Sequence, residues 1–67
     1  MINDREKYQV QRAMITFGGS FAHALGKALV CADQKNAQKI KDTWPAEWAQ
    51  YLQMAQRADA IEAELLP

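Results

Sequence analysis

Three short breaks divide this chain, and between them nearly every residue favours helix. The breaks fall at Gly18-Gly19, at Asp33 and at Trp44-Pro45. Twelve alanines stand against three glycines and two prolines, and no stretch alternates polar and apolar residues long enough to predict a strand. We therefore predict an all-α fold, a compact bundle of about four helices in a single domain of residues 1–67. The predicted helices cover residues 3–17, 20–32, 34–43 and 45–65.

The residues at the predicted helix starts are ones that commonly cap helices. Asn3, followed three residues later by Glu6, has the spacing of a capping box, in which side chains satisfy free backbone amides. Ser20 is expected to cap the second helix and Asp33 the third. Pro45 suits the first position of the fourth helix and disfavours helical geometry in the residue before it. This boundary is therefore the clearest in the chain.

The second helix carries a strip of small residues beside its expected core face. A helical wheel directs one apolar arc to the core: Phe21, Leu25, Ala28, Leu29 and Ala32. Beside it, every fourth position forms the strip: Ala22, Gly26 and Val30. Missing bulk along this strip would let another helix approach closely, which would offset the cost of about 1 kcal/mol for a glycine inside a helix. The alternative is that Gly26 occupies a site tolerant of any small residue.

The first and fourth helices carry more apolar surface than one small core can easily cover. A chain of 7.6 kDa buries only about 60% of its unfolded surface, so a lone monomer would be marginally stable. The first helix has an apolar stripe from Val10 to Phe17, with Tyr8 and Ile15 nearly opposite. The fourth has an early apolar face around Trp48 and a later face rotated by roughly 100°.

We therefore expect the protein to associate with itself as a dimer or a higher oligomer. The early face of the fourth helix closes the chain's own core, and the later face meets a second chain. The residues expected at this contact are Tyr8, Ile15, Met54, Ala58, Ile61 and Leu65. The alternative is a gently curved fourth helix that wraps around its own core.

Charge is balanced over the whole chain but not along it. Eight Lys and Arg match eight Asp and Glu, and this zero net charge argues against nucleic-acid binding, which needs a basic excess. A helix-turn-helix with residues 34–43 as recognition helix is a weaker alternative. The acidic end of the fourth helix, with Asp59, Glu62 and Glu64, opposes the helix dipole and invites a basic neighbour. The candidate neighbours, in the same chain or another, are Lys35, Lys39 and Lys41. The alternative is that the acidic end is an ordinary solvated tail.

The sequence contains no membrane or secretory feature. Its longest apolar stretch, residues 21–32, includes His23 and Lys27 and is too short to span a bilayer. The first seven residues lack the charged-then-apolar order of a signal peptide, and one cysteine cannot form an internal disulfide. We therefore expect a cytoplasmic protein without a membrane partner.

The reactive side chains are too few to predict an enzyme. Nucleophilic catalysis needs a base placed against a hydroxyl or thiol, and the candidates reduce to Ser20, His23 and Cys31. A structural zinc site needs about four His or Cys ligands, and the chain supplies two. We expect no catalytic residue, no metal and no cofactor.

The loop before the second helix and the bend before the fourth are the candidate binding features. Backbone amides at Gly19 and Ser20 can attract an anion, and Lys27 follows two turns later on the same face. A small anionic ligand, such as a nucleotide, is therefore the alternative to a protein partner. Trp44, beside the bend, suits either the core or an interface. The residues expected to make binding contacts are Phe17, Gly18, Gly19, Ser20, Lys27 and Trp44.

About half of the chain carries a pattern of short elements between Phe17 and Tyr51. The elements are Phe-Gly-Gly-Ser-Phe, Ala-Asp, Lys-Ile-Lys and Trp-Pro, followed by Trp48 and Tyr51. This pattern resembles small helical proteins encoded by tailed phages and prophages. The resemblance implies an accessory protein that acts in a bacterial host cytoplasm by binding a host component, and it carries over no activity and no binding residue. We therefore expect a non-catalytic homo-oligomer that acts through protein contacts.

Overall fold

Four helices follow one another in the computed structural model, which describes residues 2–65. They are α1 (Asp4–Phe17), α2 (Ser20–Val30), α3 (Gln34–Thr43) and α4 (Pro45–Leu65). No strand occurs in that range, and the predicted all-α bundle of four helices is confirmed. The predicted domain of residues 1–67 also includes Met1, Leu66 and Pro67, which lie outside the described residues.

Local capping sets where α1, α3 and α4 begin. The side chain of Asn3 accepts a hydrogen bond of 2.7 Å from the backbone amide of Glu6, and Asp33 accepts one of 2.8 Å from that of Asn36. Pro45 is the first residue of α4, as its fixed backbone angle favours. These three starts agree with the sequence expectations.

The start and end of α2 differ from the prediction. Gly19 rather than Ser20 is the N-cap; Ser20 is the first helical residue, and no side chain caps this start. The helix ends at Val30 instead of residue 32, because the amides of Cys31 and Ala32 bond back only three residues, to the carbonyls of Ala28 and Leu29. Such tighter bonds close the last turn of a helix and end it.

The core forms where the apolar faces of the helices meet around Trp48. The largest fully buried side chains are Trp48, Met14, Leu29 and Val10. Trp48 is only 2% exposed, which confirms its expected place in the core. The early face of α4 therefore closes the core, with Tyr51 and Leu52 partly buried against it.

Close approach of α1 and α2 depends on glycine. A Cβ added to Gly26 would lie 2.9 Å from both Ile15 Cγ1 and Met14 Cβ. Ala22 is buried on the same strip, so the expected close packing is confirmed at these two positions, whereas Val30 is half exposed. A Cβ on Gly18 would collide with the Met14 carbonyl oxygen and with Ala22 Cβ.

The same close approach corrects the predicted core face of α2. Phe21 is 58% exposed and Ala28 is exposed, although both were expected in the core. The backbones of α1 and α2 meet at Ala22 and Gly26, so this strip of α2 faces α1. Phe21 and Ala28, at the edge of the predicted apolar arc, are therefore exposed to solvent. Phe17, at the end of the predicted stripe of α1, is also more than half exposed.

Substitution of Gly26 tests how closely the two helices pack. We expect Gly26→Ala to lower the free energy of unfolding by about 1–3 kcal/mol, since the added methyl group overpacks the contact with Met14 and Ile15. Urea unfolding followed by helical circular dichroism measures the change. Ala28→Gly, at an exposed position of the same helix, is the control for helix propensity alone and should cost about 1 kcal/mol. A Gly26→Ala protein that gains the full helix-propensity difference of about 1 kcal/mol over the wild type would contradict the packing.

Candidate interaction surface

A single carboxylate oxygen joins three helices and sets how α4 lies against α1. Glu6 Oε2 accepts hydrogen bonds of 2.9 Å from Lys41 Nζ and of 2.9 Å from Trp48 Nε1. Lys41 Nζ also lies 5.7 Å from the centroid of the Trp48 ring, within the range of a cation–π interaction. Glu6 therefore does not complete the expected capping box, because its carboxylate bonds to α3 and α4 rather than to its own helix start.

The environment of Glu6 favours its charged form. The hydrogen bond from Lys41 holds the pKa of the Glu6 carboxyl below its ordinary value of 4.5, and the bond from Trp48 acts in the same direction. Partial burial acts the opposite way, since it penalises the charge. The folded state therefore binds this proton less tightly than the unfolded chain does.

With α4 fixed in this way, a groove remains open between it and α1. Its cavity volume is about 270 Å³. The α1 wall includes Arg5, Tyr8, Arg12, Thr16 and Phe17, and the α4 wall includes Ala55, Ala58, Asp59 and Glu62. We call this feature the α1–α4 groove. Its interior is mostly apolar, because two alanines of α4 face aromatic side chains of α1 across a gap that neither fills.

A hydrogen bond ties the two walls together at one level of the groove. Gln9 Nε2 donates to Asp59 Oδ2 at 3.0 Å, and both side chains are partly buried. Gln9 lies between Arg5 and Arg12 along α1, so the acidic side chain of Asp59 stands level with these two basic residues. One wall is therefore basic and the other acidic.

The structure brings together part of the set expected at a self-association contact. Tyr8, more than half exposed, and Ala58, partly buried, line the α1–α4 groove. Ile61 and Leu65 do not line the groove but are exposed further along the same end of α4, with Leu65 79% exposed.

Two members of that set lie elsewhere. Ile15 is partly buried, with its Cγ1 atom beside the space above Gly26 of its own chain. Met54 is partly buried and does not line the groove.

The six residues expected to contact a ligand or partner do not form one site. Phe17 lines the α1–α4 groove, whereas Trp44 packs edge to face on Phe21, with ring centroids 5.6 Å apart. Gly18 is partly buried, and its lack of a side chain serves the contact between α1 and α2. Gly19, Ser20 and Lys27 are exposed. Lys27 lies about 10 Å along α2 from Ser20, so it is remote from the first-turn amides.

Sequence reasoning missed Phe21 and the two arginines of the groove. Phe21 was placed in the core because its position on the helical wheel matches Leu25; only the glycine contact with α1 reveals the rotation. A signal for the arginines was present: Arg5, Tyr8 and Arg12 recur at helical spacing on one side of α1.

The side chains considered for catalysis are Ser20, His23 and Cys31, and Ser20 is exposed. His23 Nδ1 lies 3.1 Å from the Ile15 carbonyl oxygen and is hydrogen-bonded to it, while Cys31 is exposed. Among residues 2–65 there is no group of three or more His, Cys, Asp or Glu side chains placed to hold a metal ion. No helix within that range is long and apolar enough to cross a membrane.

Comparison with known proteins adds no assignment to this geometry. No family model, curated protein or solved structure matches the chain.

Removal of the Glu6 carboxylate tests its contribution to stability. We expect Glu6→Ala to lower the free energy of unfolding by about 2 kcal/mol, because it leaves the buried Trp48 N–H unpaired. Lys41→Met should cost less than about 1 kcal/mol, since the ion pair is partly exposed and Trp48 keeps its acceptor. Chemical denaturation of both variants measures the difference. Equal losses would contradict the importance of the bond to Trp48.

The lowered pKa of Glu6 predicts how stability depends on pH. A lowered folded-state pKa stabilises the protein above the ordinary value of 4.5, and this contribution is lost as the pH falls through the folded-state pKa. We therefore expect the stability advantage of the wild type over Glu6→Gln to be constant above about pH 5.5 and to shrink on acidification. Urea titrations of both proteins between neutral and acidic pH measure it. An advantage that grows in acid would contradict the prediction.

Proposed function

We propose that this protein is a non-catalytic interaction module that works as a homo-oligomer through the surface around the α1–α4 groove. One observation carries the proposal: large apolar side chains are concentrated, more than half exposed, in this groove and along the adjoining end of α4. They are Tyr8, Phe17, Ile61 and Leu65. Exposed apolar side chains gathered around one groove are typical of an interaction site, whereas scattered single residues need no explanation.

The aromatic pair of Phe21 and Trp44 supports a second contact, to a different protein. The Phe21 ring is exposed and stands edge to face against Trp44, so the pair presents a rigid aromatic edge beside the bend. Tryptophan and other aromatic residues are common anchors of protein interfaces. The proposal includes the phage or prophage origin that the sequence pattern implies, with a host component as the partner in a bacterial cytoplasm.

The absence of catalysis belongs to the same proposal. A nucleophile needs a base that is itself free to accept a proton and is oriented by a third group. The His23 ring is hydrogen-bonded through Nδ1 to the Ile15 carbonyl oxygen, and within the described residues no hydrogen bond joins it to the Ser20 hydroxyl or the Cys31 thiol. This arrangement favours a structural role for the histidine.

Sedimentation equilibrium over a wide concentration range tests self-association. We expect the wild-type mass to rise with concentration to a multiple of the monomer mass. Ile61→Lys should raise the dissociation constant at least tenfold, because it places a charge in the apolar contact. Val30→Lys is the matched control, since Val30 is also half exposed but lies on α2 away from the groove. A wild type that stays monomeric at millimolar concentration would overturn the proposal.

A further inference from the structure

We infer that the occupant of the α1–α4 groove is the same groove of a second copy, related by a two-fold axis that runs along the groove. The inference rests on the self-association proposed above. It adds the identity of the contact partner and the direction in which the two copies meet. The distribution of charge along the two walls of the groove carries the argument.

The two walls of the groove have opposite charge. Arg5 and Arg12 lie seven residues apart on α1, two turns along the same side of the helix. Asp59 and Glu62 lie three residues apart on α4, on the other side of the groove. The chain as a whole has no net charge, so this separation is local.

These charges form no salt bridge among residues 2–65. Among residues 2–65 the only salt bridge joins Lys41 to Glu6, which lies outside the groove. Arg5, Arg12 and Glu62 are exposed, and the polar contact of Asp59 is with the neutral amide of Gln9. The groove therefore presents ion-pairing groups of both signs to whatever covers it.

Because the groove carries charge of both signs, the occupant that matches both walls is a second copy of the chain. In a two-fold contact, residue i of one copy meets residue j of the other, and j meets i. A partner with a single excess of charge would satisfy one wall and repel the other. A second copy satisfies both walls at once, with the basic wall of each copy against the acidic wall of the other.

The same charges distinguish between two possible orientations of a face-to-face contact, one with the two-fold axis along the groove and one with the axis across it. A two-fold axis along the groove exchanges its left and right walls, so arginines face carboxylates. An axis across the groove would keep each wall on its own side and place arginine on arginine. The hydrogen bond from Gln9 to Asp59 holds the acidic wall level with the interval between Arg5 and Arg12. Rotation about the first axis leaves the position of each residue along the groove unchanged. The acidic wall of one copy therefore faces the interval between Arg5 and Arg12 of the other.

The apolar interior of the groove supplies the centre of this contact. Tyr8 and Phe17 stand more than half exposed beside the small side chains of Ala55 and Ala58. Burying aromatic rings at the centre with charged residues around them is the usual arrangement of a protein interface. Association therefore comes from the apolar centre, and the charged walls set its direction.

Complementary charge reversal tests the inference. We expect Arg12→Glu and Glu62→Lys, each alone, to raise the dissociation constant of the homodimer at least tenfold, because each places like charges on facing walls. An equimolar mixture of the two variants should associate more tightly than either alone, since the unchanged basic wall of one variant then faces the unchanged acidic wall of the other. Sedimentation equilibrium of the separate and mixed proteins measures both effects. Circular dichroism melts verify that each variant is folded.

Arg57→Glu is the matched control, because Arg57 is exposed on α4 but does not line the groove. If the wild type associates and both groove variants behave like this control, self-association stands and the two-fold pairing is wrong. If mixing the variants weakens association further, the axis along the groove is wrong. A wild type that never associates overturns this inference together with the proposed function.

Discussion

One carboxylate of α1 is hydrogen-bonded to both α3 and α4. Glu6 Oε2 receives the Lys41 ammonium from α3 and the Trp48 indole N–H from α4, each at 2.9 Å. Trp48 is the largest side chain of the core, and its indole nitrogen needs an acceptor once the ring is buried. By supplying that acceptor from α1, Glu6 lets the largest apolar group of the chain enter the core without an unsatisfied donor.

Polar contacts matter most for α3, which has little else to hold it. Ala37 is its only buried residue. Two bonds fasten it to the start of the chain: Lys41 to Glu6, and Gln34 Nε2 to the Ile2 carbonyl oxygen at 2.8 Å. Apart from Ala37, its apolar contact with the core is made by Ile40, which is only partly buried. Partly buried hydrogen bonds therefore complete its attachment.

The helix boundaries could be predicted from the sequence where a residue acts on its own helix. The surface site could not, because it depends on contacts between residues that are distant in sequence. Asn3, Asp33 and Pro45 act on their own helix starts, so their effects can be recognised without knowing what packs nearby. The exposure of Phe21 depends on how closely α2 approaches α1, and the acceptor for Trp48 lies 42 residues away in sequence. Helical periodicity gives the faces of a helix, but the neighbour that covers each face is a property of the tertiary structure.

The α1–α4 groove follows from the way α4 is anchored. Trp48 fixes the first half of this helix in the core, and Ala55 is its other buried residue. Beyond that point the helix presents small side chains to α1, and alanine at positions 55 and 58 leaves the facing aromatic rings uncovered. Larger residues there would have filled the gap from within the same chain. The first half of α4 is packed in the core and its second half is open, which leaves apolar area at a face that also carries unpaired charges of both signs. An intramolecular core would gain nothing from that sorting of charge, whereas the proposed two-fold contact would pair the basic wall of each copy with the acidic wall of the other.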